Sequence, residues 1–490
     1  MSDAEPDAPG PAPAMLRGDL TQGPIARTLL LFSIPALLTN VLQSLSGTIN
    51  AIWVGRLIGE EALAATANAN IVMFLVSSLA FGFGMAGTVL IGQRWGARDV
   101  DGARRSFGTA TGFSAVLMAG IALIGFVFAP GLLRVLATPE QAFPLALIYL
   151  RLIFISMPFM MISVILSMGL RGTGDAKTPL MFMLVTVLID LALNPMLIAG
   201  IGPFPRMGIA GSATATIIAA MISFVGMVAF VYLRDLPLRL RGPELRYLVP
   251  SRGELRFIVT KGLPMGAQLL VMSAAGIIMV GLVNREGLLT TAAYGATMQL
   301  FNYIQMPAMA IGAAVSAMAA QYIGAGKWGG LDRVTHAGVA MNLAITGVVT
   351  VLLLLFDRPV LVLFLGPDSQ AVPIAQHMQL LASWSFVLFG VTMVYTATMR
   401  SAGAVWIPLV VVTIALFPVR LGFYELAYPL LGADAIWLSY PVGALAGIAG
   451  GLWFYHRWNW RRAAQPLSSD MAGEGSHADG LPAGRMTADL

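Results

Sequence analysis

Long apolar runs separated by short polar connections follow one another along most of the chain. A helix of about 20 apolar residues crosses the hydrocarbon core of a bilayer, and a spanning segment must satisfy its own backbone hydrogen bonds. The pattern predicts twelve helical spans, at about 28–54, 67–92, 106–129, 143–168, 178–200, 208–233, 259–283, 291–318, 334–356, 374–398, 405–427 and 433–456. The predicted fold class is therefore an all-α polytopic membrane protein.

Composition and charge support a membrane protein and orient it. Of the 490 residues, 57% are hydrophobic and 11% are charged, which is more apolar surface than a soluble domain can bury. Lys and Arg are concentrated in one alternate set of connections, which predicts that both termini are cytoplasmic and that the membrane is a prokaryotic inner (plasma) membrane. The net charge of +5 is dispersed over short loops, so nucleic acid is not an expected partner.

Both ends of the chain are predicted to be tails. Residues 1–24 are acidic and rich in Pro and Ala, lack the basic start and apolar stretch of a signal peptide, and are expected to be disordered. Residues 457–490 are expected to form a cytoplasmic tail, disordered from about residue 463. The chain contains no Cys, which excludes disulfides and thiol chemistry.

The sequence repeats itself with an offset close to 229 residues. SIPALL around Pro35 matches GLPMGA around Pro264, Gln93 matches Gln321, and RGTGDAKTP matches RSAGAVWIP. Each repeat holds six spans, so both repeats have the same orientation, and a substrate path is expected between them. The predicted domains are an N-lobe at 25–233, a basic cytoplasmic linker at 234–258 and a C-lobe at 259–456.

Several short motifs in this order resemble those of the multidrug and toxic compound extrusion (MATE) transporters. They are WVGRLIGEEALAA after the first span, IGQRWGARD after the second, RGTGDAKTP before the fifth, LNPMLIAG at its end and GIAGSATAT opening the sixth. The similarity covers about residues 25–460. The resemblance implies two parallel six-helix repeats that form an antiporter, exporting organic and often cationic compounds in exchange for H+ or Na+.

Asp190 is the one acidic residue in the interior of a predicted span, since the other Asp and Glu residues fall in tails, in loops or at span ends. A carboxylate at the centre of a span costs roughly 2.5 to 3.5 kcal/mol on insertion scales, and such residues are usually functional. Thr186, Asp190 and Asn194 are spaced four residues apart and predict one polar stripe on the fifth span. A similar stripe on the first span contains Asn40, Gln43, Gly47 and Asn50. Two polar stripes predict a wet or hydrogen-bonded interior in the N-lobe.

The resemblance places an ion-coupling site at Asp190, Asn194, Asn50 and Thr216. Many relatives carry Asp at the position of Asn50. At the positions of Asp190 and Asn194 they often carry the reverse order, Asn followed by Asp. Sodium-coupled relatives also place acids in the second lobe, where this chain has apolar residues near Met272 and Phe389. Because Na+ prefers several oxygen ligands with a carboxylate among them, H+ is the favoured coupling ion and Na+ the alternative.

Other polar residues in the spans have two interpretations. Arg151 is predicted either to line the substrate cavity or to form a structural ion pair with Asp190, and Arg420 is predicted to snorkel to the outer surface. The candidate cavity residues are Asn40, Gln43, Thr186, Arg151, Gln268, Tyr294, Asn302 and Tyr303.

The predicted function is a secondary antiporter that exports amphipathic, cationic organic compounds by alternating access. The alternative in the same superfamily is a flippase for lipid-linked glycans, which would need a cavity rich in Arg and Lys. The sequence has no nucleophile with a base, no phosphate loop and no metal cluster, so an enzyme, a cofactor, a bound metal and ATP are not expected. The expected partners are a small-molecule substrate and membrane lipid, and the transporter is expected to be a monomer.

Overall fold

The computed structural model describes residues 18–136 and 138–464, except for the side chains at positions 60, 63, 64, 67 and 68. The regular elements of this part of the chain are helices. They are α1 (Ile25–Leu57), α2 (Glu60–Gly96), α3 (Val100–Val135), α4 (Phe143–Gly172), α5 (Lys177–Ala199), α6 (Ile209–Leu233), α7 (Arg252–Asn284), α8 (Leu288–Gly324), α9 (Trp328–Leu355), α10 (Asp357–Leu365), α11 (Ala371–Ser401), α12 (Trp406–Ile414), α13 (Arg420–Leu431) and α14 (Asp434–Arg457).

Twelve of these helical segments are long and apolar enough to cross a membrane, which confirms the predicted number of spans. Two features were not predicted. A short helix, α10, lies between the ninth and tenth spans. The eleventh span is continuous from α12 to α13 through a π-helical turn at Ala415–Val419, which contains Pro418. Proline has no backbone N–H and disrupts the regular helical ladder, which accounts for the irregular turn.

The chain forms two lobes, α1–α6 and α7–α14, joined by residues 234–251. The joining segment contains a short 3₁₀ helix, Gly242–Leu248, that packs on α3. Glycines at 108 and 112 allow this contact, since a Cβ at either position would overlap the backbone of Tyr247 or Leu248. The side of the molecule on which this segment lies is called the linker face, and the other side is called the opposite face.

The lobes meet in a contact that repeats itself. On α2, Gln93 Nε2 donates to the backbone oxygen of Ser401 at 2.6 Å. On α8, Gln321 Nε2 donates to the backbone oxygen of Gly172 at 2.9 Å. The two glutamines are partners in the sequence repeat, and so are the two acceptors. Each lobe therefore gives the other the same contact, as expected for a twofold relation between the lobes.

Glycines hold α2 and α8 close together at this contact. A Cβ on Gly324 would lie 2.7 Å from the carbonyl carbon of Gln93, and a Cβ on Gly96 would lie 2.7 Å from that of Gln321. Carbon atoms in contact normally stay about 3.5 to 4.0 Å apart. Only glycine therefore fits at either position without moving the helices.

A second set of contacts joins the lobes through Glu254, which is buried in the first turn of α7. Its carboxylate accepts hydrogen bonds from Thr109 at 3.0 Å and Ser106 at 3.2 Å on α3, and lies 3.8 Å from the guanidinium of Arg94. In the part of the chain that the structure describes, the hydrogen bonds and ion pairs between the lobes lie at the linker face. The molecule is therefore closed on that side.

Both predicted tails are shorter than expected. Residues 18–24 pack between the lobes, where the Leu20 N–H donates to Gln321 Oε1 at 2.8 Å and Leu20 is buried. At the other end, Trp460 is buried and its indole N–H donates to the Tyr455 backbone oxygen at 2.8 Å. Residues 18–24 were predicted to be disordered and are instead anchored by buried Leu20. Trp460 precedes residue 463, from which disorder was predicted. The rest of the predicted tails, 1–17 and 465–490, lies outside the described residues.

Candidate coupling site and second-lobe cavity

Asp190 lies in α5 with only 6% of its surface exposed. Thr216 Oγ1 on α6 donates to its Oδ1 at 3.0 Å, and Ser46 Oγ on α1 lies 3.4 Å from its Oδ2. The Asn194 side chain, one turn further along α5, lies beside the carboxylate. Three helices thus supply polar partners to one buried acid, as a carboxylate at this depth requires.

Asn50 forms the other half of the same cluster. Its Oδ1 accepts from Asn194 Nδ2 at 3.0 Å and from Ser212 Oγ at 2.8 Å. The Tyr149 hydroxyl lies beside the same side chain. The Oδ1 atom of Asn194 is buried and has no hydrogen-bond partner. The cluster therefore keeps one free acceptor oxygen close to the acid.

The local sequence explains why these groups meet. Ser46 and Asn50 on α1, and Asp190 and Asn194 on α5, are each one helical turn apart and so share a helix face. Ser212 and Thr216 repeat this spacing on α6. The neighbouring Gly211 lets α6 approach α5 closely, because a Cβ there would lie 2.6 Å from the Leu197 carbonyl carbon.

The structure brings together all four residues predicted for ion coupling: Asp190, Asn194, Asn50 and Thr216. Sequence reasoning missed Ser46, Ser212 and Tyr149, which complete the cluster. The signal for Ser46 and Ser212 was their spacing of four residues from Asn50 and Thr216. Serines at such positions are common in spans, where they bond neighbouring helices or their own backbone, so the spacing alone was not distinctive.

The predicted cavity residues of the first lobe do not join the coupling cluster. Arg151 does not pair with Asp190; its guanidinium lies 5.1 Å from the ring centroid of Phe126, and its Nε has no partner. Thr186 donates to the backbone of its own helix. Asn40 is half-buried and Gln43 is exposed. The ion pair between Arg151 and Asp190 is therefore absent among the described residues.

The candidates in the second lobe separate into three places. Gln268 is buried and accepts from Arg400 at 3.2 Å, near the contact between the lobes. Tyr294 is also buried and shares a 2.7 Å hydrogen bond with the Tyr440 hydroxyl. Asn302 and Tyr303 are exposed. Of these candidates, Tyr294 lines the cavity described next.

A cavity of about 190 Å³ lies inside the second lobe. Its walls are mainly apolar, and the large side chains in them include Met272, Met298, Phe386, Phe389, Tyr294 and Tyr440. Met272 and Phe389 are near the positions where sodium-coupled relatives carry acids and this chain has apolar residues. Gln305, Ser385, Thr392 and Arg420 supply the polar part of the lining.

Arg420 does not reach the outer surface, and the prediction that it snorkels was wrong. Its side chain is 7% exposed and lines the second-lobe cavity. The guanidinium carbon lies 3.4 Å from the ring centroid of Tyr440, and Nε donates to Ser439 Oγ at 3.5 Å. The π turn just before Arg420 breaks the helical register assumed from the sequence, and such turns are frequent at functional sites.

The two lobes carry opposite charges at corresponding places. The repeat offset of 229 residues, as between Pro35 and Pro264, carries Asp190 to Val419, directly before Arg420. The first lobe therefore buries an acid at the depth where the second lobe buries a base. The repeat has kept the fold while the chemistry of the two interiors has diverged.

Two six-span lobes in parallel orientation, joined at one face and each with a polar group in its interior, define a two-repeat membrane transporter fold. The MatE family model matches residues 35–196 and 264–424, one stretch in each lobe. The chain belongs to this family.

Known proteins similar to the chain agree with this assignment. It is 34% identical to the probable multidrug resistance protein YoeA of Bacillus subtilis, over 89% of this chain and 94% of the relative. It is 24% identical to the FAD transporter of Shewanella oneidensis, over 88% of this chain and 95% of that one. An outward-facing structure of a multidrug resistance MATE family transporter superposes with a TM-score of 0.82 at 23% identity, covering 92% of this chain and 99% of that one.

Proposed function

We propose that this protein is a secondary antiporter that exports amphipathic organic compounds in exchange for protons taken up at Asp190. The observation that carries the proposal is the buried Asp190 with polar partners from α1, α5 and α6. The other buried acid described, Glu254, is at the linker face and bonds the lobes to each other. Asp190 is therefore the acid placed to serve transport.

The hydrogen bonds around Asp190 can serve both of its protonation states. The ionised carboxylate accepts from Thr216 and Ser46. A neutral carboxyl group carries an O–H that needs an acceptor, and the unpartnered Asn194 Oδ1 belongs to the same cluster. The cluster therefore contains donors for the ionised acid and a free acceptor for the neutral one.

Alternating access follows from the contacts between the lobes. With the linker face on the cytoplasmic side, the closed contact at Gln93, Gln321 and Glu254 keeps the cytoplasmic path shut, and the lobes receive protons from outside. Transport requires this contact to separate while the opposite face closes. A cationic compound is attracted to the ionised carboxylate of Asp190, and a proton on that carboxylate removes the attraction. Binding of the compound and of the proton therefore exclude each other, which couples export of the compound to import of the proton.

The relatives support the substrate class. Their names refer to multidrug resistance and to FAD, and these substrates are organic compounds. The flippase alternative gains no support from the described residues, since the second-lobe cavity is lined by a single arginine where a diphosphate group would require several positive charges.

Transport in proteoliposomes tests the proposal and separates the two coupling ions. Purified protein is reconstituted, and uptake of the fluorescent cation ethidium is followed under an imposed pH gradient and, separately, under a Na+ gradient. We expect the pH gradient to drive uptake and an ionophore that dissipates it to stop uptake. Uptake driven only by the Na+ gradient would assign the oxygen cluster to Na+ instead, and uptake unaffected by either gradient would contradict antiport.

A further inference from the structure

Arg420 is a buried base that has no acidic partner in the described part of the chain. Its contacts are the Tyr440 ring and Ser439 Oγ, and its Nη2 atom is buried without a hydrogen-bond partner. The described residues that line the cavity around it include no Asp or Glu. An arginine at mid-membrane depth costs roughly 2.5 to 3.5 kcal/mol on insertion scales, and buried arginines are normally paired with an anion. No residue that the structure describes supplies this anion, so the cavity offers Arg420 to an anionic ligand.

The rest of the cavity suits an apolar body next to that anion. Phe386, Phe389, Met272 and Met298 offer aromatic and polarisable surfaces. An engineered cavity of about 150 Å³ lined by apolar residues binds benzene. A cavity of about 190 Å³ therefore has room for one aromatic ring that carries a small charged group.

The cavity depends on features that hold Arg420 in place. The π turn at Ala415–Val419 sets the direction of the side chain, and Tyr440 stacks against the guanidinium. Gly443 on α14 allows the last helix to approach, since a Cβ there would lie 3.0 Å from the Ala415 oxygen and 3.3 Å from the Arg420 Cβ. A preorganised guanidinium loses little entropy on binding, and its planar fork matches a carboxylate.

We infer that the second-lobe cavity binds the carboxylate of an amphipathic organic anion of about one aromatic ring, with Arg420 as its charge partner. The inference rests on the proposed transport function in that it gives this ligand class to the transporter, but binding itself needs no gradient and no Asp190. The protein then handles a proton or cation in one lobe and an organic anion in the other. Compounds that carry both charges would engage both lobes.

The test measures binding of three compounds of equal shape and different charge to the purified full-length protein in detergent. These are benzoate, neutral benzamide and the cation benzylammonium, titrated by isothermal calorimetry or ligand-observed NMR at pH 7. We expect the Kd of benzoate to be at least tenfold lower than that of benzamide, and benzylammonium to bind weakest. Equal Kd values for benzoate and benzamide would overturn the inference.

Three variants locate the effect. In Arg420→Gln the preference for benzoate over benzamide should vanish while benzamide binding stays. Arg420→Lys keeps the charge without the fork and should retain part of the preference, which preserves the test where the Gln variant does not fold. Arg151→Gln is the matched control, because Arg151 is also an arginine within a span, has an unpartnered guanidinium nitrogen and contacts an aromatic ring, but lies in the first lobe. Loss of the preference in Arg151→Gln to the same extent would refute a site at Arg420.

Failure of the inference can be told apart from failure of the proposed function. Asp190→Asn should leave the benzoate preference unchanged, because the acid lies in the other lobe. A normal benzoate preference in a protein without gradient-driven transport would contradict only the proposed function. Proton-driven transport without a benzoate preference would contradict only the inference.

Discussion

The close contact between α2 and α8 predicts that Gly324→Ala opens the linker face. The new Cβ would lie 2.7 Å from the Gln93 carbonyl carbon, whereas carbon atoms need about 3.5 Å or more, so the helices must separate by roughly 1 Å. Gln93 and Gln321 now bond across the contact at 2.6 and 2.9 Å. A separation of roughly 1 Å takes both bonds to or beyond the hydrogen-bonding range.

The expected size of the effect follows from these two bonds. A hydrogen bond contributes about 1 kcal/mol net, so the loss of both shifts the equilibrium between closed and open linker faces by about 2 kcal/mol, or roughly 30-fold.

The chain contains no Cys, so spin labels can be placed at Lys177→Cys and Arg333→Cys, exposed residues of the two lobes near the linker face. Electron–electron double resonance then measures the distance between them.

We expect a single short distance in the parent protein and an added longer distance in Gly324→Ala. Gly295→Ala is the matched control, because it lies in the same helix and a Cβ there meets nothing within 4 Å. Identical distance distributions for Gly324→Ala, Gly295→Ala and the parent would refute the conclusion that this contact keeps the linker face closed.

Three further changes test the linker face. Glu254→Gln leaves hydroxyl donors of α3 without a charged acceptor and should lower the free energy of unfolding by about 1 to 3 kcal/mol, measured as a lower Tm in detergent. Burial raises the pKa of Asp19, but hydrogen bonds from Thr21 and Gln22 and the charge of Lys327 together outweigh burial and hold that pKa below its ordinary value. Ionised Asp19 therefore stabilises the packed segment 18–24 above the ordinary carboxyl pKa, and this stabilisation is lost as pH falls through the lowered pKa. A spin label in residues 18–24 should have low mobility near neutral pH and higher mobility at strongly acidic pH. Asp19→Asn should remove that pH dependence. Asp332→Asn removes the charged acceptor of Arg461 at 2.7 Å and should speed proteolysis after Arg461. Because the pair is partly exposed, the free energy of unfolding, obtained from Tm, should change by no more than about 1 kcal/mol.

The number of spans, the repeat and the polar stripes that hold Asp190, Asn194 and Asn50 could be predicted from the sequence because each rests on a periodic pattern, whereas Thr216 was placed by the family resemblance. Hydrophobic length gives the spans, and a spacing of four residues gives one helix face. Partners such as Ser46 and Tyr149 could not be predicted, because their role depends on which helices pack together. The position of an acid on one helix says little about the face its neighbours present.

Arg420 shows a different limit of sequence reasoning. Arg420 lies 11 residues before the end of α13, so in a regular helix its side chain would be predicted to extend to the membrane surface. The π turn at Ala415–Val419 changes the register, and Gly443 lets α14 cover the side chain. Both features depend on packing between helices, so the pattern of one span alone could not reveal the cavity.

The proposed role of Asp190 as the proton carrier can be checked by measuring substrate-coupled proton flux in Asp190→Asn. Proteoliposomes with an acidic interior and encapsulated pyranine report the loss of internal protons when ethidium is added outside. The substitution keeps the size of the side chain and removes its titration. Thr186→Val, one turn away on α5, is the matched control because its hydroxyl bonds only its own helix among the described residues.

We predict that ethidium evokes proton loss in the parent and in Thr186→Val, and that Asp190→Asn falls to the level of protein-free liposomes. Unchanged Tm and unchanged benzoate binding in Asp190→Asn would show that the variant is folded. Ethidium-evoked proton flux at the parental rate in that folded variant would contradict the account.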